Sequence, residues 1–120
     1  MQIGTPTYNR DLADATKLLI EANASGIVNV GGMEPLDRLA FAQIAVEALN
    51  ESRPYGSPYL NAALLNGVIT SNAGQTAKRP LGSGLTLDKA YALIPGWRPR
   101  TVKEGLKHWM ANPRGKPLGQ

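Results

Sequence analysis

The stretch Gly26-Ile27-Val28-Asn29-Val30-Gly31-Gly32 decides how the rest of the chain reads. Its β-branched residues favour a pleated strand, and the two closing glycines end one sharply. Helical patterns lie on both sides. The simplest reading is therefore a buried strand between two helices that pack against it.

Working outward, Leu12, Ala15, Leu19 and Ala22 recur at helical spacing and predict a helix over about 10–22. Asn9 stands where an N-cap belongs, and Asp11 and Asp14 put negative charge at the positive end of the helix dipole. Residues 5–8, Thr-Pro-Thr-Tyr, read as extended or turn, because a residue before proline avoids the helical region. On the other side, Phe41, Ile44, Ala45 and Ala48 mark one face of a helix over about 36–50, with Asp37 or Glu34 as its cap.

Beyond that unit the signals thin out. Arg53 to Pro58 is a loop by its turn residues, Tyr59 to Leu65 reads as a short helix, and Val68–Thr70 as a second short strand. Residues 71–84 form a polar, glycine-containing loop, followed by a helix over Asp88 to Leu93 that Pro95-Gly96 ends. The last helix has a clearer start: Thr101-Val102-Lys103-Glu104 is a capping box, Val102, Leu106 and Trp109 share a face, and Asn112-Pro113 stops it. The fold class that results is α/β, a small and mostly helical lobe over 1–110 with one or two short strands. A flexible basic tail is expected over 111–120.

Bulk properties exclude several functions. At 120 residues the chain is one domain, and 42% apolar against 18% charged residues marks a globular chain rather than a disordered one. With no cysteine there is no thiol nucleophile, disulfide or thiolate metal site. The single histidine, His108, rules out a histidine metal cluster, and no serine or aspartate partner is placed beside it for catalysis. No apolar run approaches the ~20 residues a membrane span needs, and no signal peptide is evident, so a cytoplasmic location is the expectation.

The net charge of +4 lies at one end: Arg98, Arg100, Lys103, Lys107, Arg114 and Lys116 face only Glu104 after residue 97. Such a run either tracks phosphate or is simply a solvated helix and tail. Nucleic-acid binding is the less favoured reading, because no RNA-binding aromatic motif or helix-turn-helix pattern accompanies the charge.

Four motifs in order carry a family resemblance. They are Pro6-Thr7-Tyr8-Asn9-Arg10-Asp11-Leu12-Ala13; Gly26 to Gly32 before a helix; Arg79-Pro80, Ser83, Leu85 and Asp88-Lys89; and Gly96-Trp97-Arg98-Pro99 with Glu104-Gly105-Leu106. Over about residues 5–110 the chain resembles the C-terminal part of extended short-chain dehydrogenases/reductases (NAD-dependent epimerases/dehydratases), most nearly the dTDP-4-dehydrorhamnose reductase-like branch. The resemblance implies the substrate-binding lobe of a Rossmann-type enzyme that takes a nucleotide-diphosphate sugar.

It also implies what is missing from this chain. The glycine-rich turn that cradles a cofactor pyrophosphate is absent, and no tyrosine has a lysine four residues on. No catalytic residue and no cofactor site are therefore assigned here. NAD or NADP would belong to a complete enzyme with an N-terminal nucleotide-binding half or subunit. Without that half, apolar surface should be left uncovered, and marginal stability or self-association is expected.

In the resembled family the arginine at the position of Arg79 faces the substrate diphosphate, which a guanidinium matches at two points. The bland alternative is a surface ion pair. Lys78 would add positive potential, and Ser83 either donates to a phosphate or sugar hydroxyl or stabilises its turn. Tyr8 and Asn9 either reach a cleft or, more simply, pack in the core and cap a helix. Trp97 and Trp109 either stack on a base or are buried against the last helix. The other reading of the whole chain is a freestanding sugar-nucleotide-binding or regulatory module without catalysis.

Overall fold

The computed structural model describes residues 2–52, 60–67, 74, 76–77, 82 and 84–112. Two residue-pair strands, β1 (Ile3–Gly4) and β2 (Leu36–Asp37), form an antiparallel ladder in which Ile3 faces Asp37 and Gly4 faces Leu36. Helix α1 (Asn9–Glu21) follows β1, and α2 (Arg38–Ser52) follows β2 directly. After a single 3-10 turn at Ala62–Leu64 come α3 (Asp88–Leu93) and α4 (Val102–Ala111).

The helices sort into two pairs. Ala15 of α1, Ala90 of α3, Leu87, Ile94 and Trp97 are buried together, with Leu18, Leu19, Val28, Val30 and Tyr91 packed around them. On the other side α2 lies along α4. Exposed Glu51, near the end of α2, receives Lys103 at 3.4 Å and Lys107 at 3.5 Å, one α4 turn apart. Both ammonium groups hold the Glu51 carboxyl below its ordinary value of 4.5, chiefly through the hydrogen bond from Lys103.

Local chemistry accounts for the helix ends. Helix α1 closes in a Schellman motif: Asn23 takes φ 55°, Ala24 N donates to Leu19 O at 3.0 Å, and Asn23 N donates to Ile20 O at 3.0 Å. Asp37 caps α2 by accepting from Ala40 N at 2.8 Å. The capping box of α4 is complete, with Thr101 Oγ1 accepting from Glu104 N at 3.2 Å and Glu104 Oε1 accepting from Thr101 N at 3.4 Å.

Several expectations need correction. Residues 27–32 are not a strand. The alternation survives, with Ile27 and Asn29 exposed and Val28 and Val30 half-buried, but no described residue hydrogen-bonds the main chain of Val28, Asn29 or Val30. A strand needs a ladder, and none reaches this segment. Among the described residues the strands are β1 and β2, neither of which was expected.

Asn9 does not cap α1; Tyr8 holds that position, with no side-chain cap bond. The buried face of α1 is also rotated from expectation, because Asp11 and Ala15 are buried while Leu12 and Ala22 are exposed. Glu34, an alternative cap for α2, serves α4 instead, accepting from Val102 N at 2.6 Å. The short helix expected over 59–65 is reduced to the 3-10 turn. The strand expected at 68–70 and nearly all of the tail expected over 111–120 fall outside the described residues.

Candidate functional site

The N-terminal end of α1 and the inner face of α4 enclose a cleft of about 330 Å³. Pro6, Phe41, Val102, Leu106 and Trp109 form its apolar walls, and Thr7, Asn9, Arg100 and Thr101 its polar rim. Tyr8 stands at its base, with its hydroxyl hydrogen-bonded to His108 Nδ1 at 2.7 Å and its ring edge-on to the imidazole. Gly105 allows this approach: a Cβ there would sit 3.4 Å from three Tyr8 side-chain atoms.

Asp11 fixes the cleft from below. Only 3% exposed, it accepts from Arg100 N at 2.8 Å and pairs with the Arg100 guanidinium, while its own carbonyl accepts from Trp97 Nε1 at 3.1 Å. That guanidinium also lies 5.6 Å from the centre of the Tyr8 ring. One residue of α1 thus holds both Trp97 of the core, through its carbonyl, and Arg100 just before α4, through its carboxylate.

The glycine pair beside the cleft is set by the close approach of Pro6 and Thr7. A Cβ on Gly32 would meet Pro6 O at 1.8 Å, and one on Gly31 would meet Thr7 Oγ1 at 3.3 Å. Gly32 N donates to Thr7 Oγ1 at 3.2 Å. These glycines make room for Pro6 and Thr7.

Lys78, Arg79 and Ser83, the site residues expected from the sequence, lie outside the described residues. Described residues near them in sequence are tied to β1 and its continuation. Gly82 makes a parallel bridge with Ile3, and Leu85 N donates to Thr5 Oγ1 at 3.4 Å. Further on, Lys89 Nζ donates to Ile27 O at 2.8 Å.

Tyr8 and Asn9 both line the cleft, and Tyr8 is half-buried there rather than packed in the core. Trp97 is buried as expected, but against α1 and α3 rather than the last helix. Trp109 is 46% exposed and belongs to the cleft wall. Sequence reasoning assigned Arg100 only to a basic run and Asp11 only to a helix dipole. Their 89-residue separation hid the pairing. The basic run is largely committed within the molecule, since Arg98 also lies 4.2 Å from the centre of the Tyr91 ring.

The described residues thus form a lobe of short helices around a two-strand sheet, with a cleft at one helix start. The family model described as the RmlD substrate binding domain matches residues 1–114, and the chain belongs to that family. This agrees with the resemblance read from the four motifs. No curated protein and no solved structure matches the chain. Among the described residues, no helix is long and apolar enough to cross a membrane, and no group of three or more His, Asp or Glu is arranged to hold a metal.

Proposed function

We propose that this chain binds the nucleotide sugar for an NAD(P)-dependent reductase of the dTDP-4-dehydrorhamnose reductase type and does not catalyse hydride transfer by itself. The observation that carries the reading is the match to a substrate binding domain over residues 1–114. Arg79, with Lys78 beside it and Ser83 four residues on, would take the diphosphate, where a guanidinium's paired donors suit phosphate oxygens. NAD or NADP would come with a nucleotide-binding half or subunit, since neither the glycine-rich turn nor a Tyr-x-x-x-Lys pair occurs in this sequence.

Titration calorimetry with a dTDP-sugar tests the proposal. Binding is expected to the wild-type chain, and Arg79→Ala should weaken it by about 1.5–3 kcal/mol, the worth of hydrogen bonds to a charged group. Absence of binding at millimolar ligand would overturn the reading. An unchanged dissociation constant in the variant would remove Arg79 from the site.

A further inference from the structure

Among the asparagines of the chain, Asn66 is the one that glycine follows. A spontaneous reaction of asparagine depends on that neighbour. The main-chain nitrogen of the next residue attacks the side-chain amide carbon, and only glycine brings that nitrogen without a Cβ in the way. The fold then permits or refuses the step, because a helix, a bonded N–H or a held amide keeps the two groups apart.

The structure permits it at Asn66. Asn66 and Gly67 are both exposed, and neither lies in a helix or a strand. Among the described residues no hydrogen bond engages the Asn66 side chain or the Gly67 N–H. The other described asparagines are held or screened. Asn9 and Asn50 lie within helices, and the Asn50 amide also bonds both the N–H and the carbonyl of Leu60. Asn61 accepts from Ala63 N, and the N–H of Ala24, which follows Asn23, donates to Leu19 O. Asn29 precedes β-branched Val30, and Asn112 precedes a proline, which has no N–H to give.

We propose that Asn66 is a site of spontaneous deamidation, with Gly67 supplying the attacking nitrogen. Gly67 N forms a bond to Asn66 Cγ and the Cγ–Nδ2 bond breaks. Ammonia leaves, carrying the proton that Gly67 N gives up, and a five-membered succinimide remains. Water then opens the ring at either carbonyl, giving aspartate or isoaspartate. The only co-reactant is water. Both products add a negative charge at this position, and isoaspartate also adds a carbon to the main chain. That carbon falls beside a close contact, since a Cβ on Gly67 would lie 2.8 Å from Leu39 Cδ2 in the first turn of α2. The proposal does not rest on the sugar-nucleotide reading.

Peptide mapping of the full chain after incubation in mildly alkaline buffer, with fragmentation that separates aspartate from isoaspartate, tests it. Asn66 should convert about tenfold or more faster than any other described asparagine, with isoaspartate in excess. The same chain in urea sets the unprotected rate, and the folded chain should come within about threefold of it. A folded rate about tenfold or more below the urea rate would show that the fold withholds the pair, and would overturn the proposal. Aspartate alone would also overturn it, because direct hydrolysis without Gly67 yields no isoaspartate. Gly67→Ala should slow conversion about tenfold in urea, where the contact with Leu39 plays no part. An unchanged rate in that variant would remove Gly67 from the step.

Discussion

The carboxylate of Asp11 is buried, and both of its hydrogen-bond donors belong to Arg100. Removing it leaves the Arg100 main chain and guanidinium without their acceptor. Asp11→Ala should therefore destabilise the chain by about 2–3 kcal/mol in urea unfolding, the cost of orphaning donors to a charged group. Gly32 is constrained by space rather than charge. With Pro6 O at 1.8 Å from the position of a Cβ, Gly32→Ala must move backbone against backbone and should cost more than about 2 kcal/mol. Gly105, whose would-be Cβ meets Tyr8 side-chain atoms at 3.4 Å, is the milder case.

Between elements, the α2–α4 contact carries a pH signature. The Glu51 carboxyl titrates below its ordinary value because Lys103 and Lys107 favour its charged form. A depressed carboxylate contributes stability that is fully present above its unfolded value and is lost as pH falls through the lower folded value. The melting temperature should thus fall as pH drops below about 4.5, less steeply at high salt because the pair is exposed. Glu51→Gln should remove that part of the slope, which a melting series from pH 6 to 3 would measure. Elements whose cause is local were legible in the sequence: the span Asp88–Leu93, the α4 capping box, the Asp37 cap and the stop at Asn112 all stand as read. Elements whose cause is distant were not. Residues 27–32 carry strand chemistry, but a ladder depends on a partner that no local pattern encodes. The rotation of α1 that buries Asp11 goes with its pairing to an arginine 89 residues away.

For the whole molecule, the family was legible because four short motifs in order identify it where no single motif does, and the match over 1–114 agrees. The cleft was not, since its walls come from residues 6–9, 41 and 100–109, and only their assembly defines it. The interior is slight: among the described residues, apart from Pro99, the buried apolar side chains are Ala15, Ala48, Leu87, Ala90, Ile94 and Trp97. Three of the six are alanines, so the hydrophobic contribution of each is small. Stability should accordingly depend on association. The melting midpoint is expected to rise by about 5 °C over a hundredfold increase in chain concentration, read by scanning calorimetry. The segment 3–8 has a consequence for how the chain acquires its shape. It touches Gly32, β2, Gly82, Leu85 and, through Tyr8, His108. Nearly all its partners are far along the sequence, the last of them 100 residues on. Closing loops of that length before their contacts reward it is slow. During synthesis residues 3–8 would be among the last of this lobe to settle, waiting until α4 has been made.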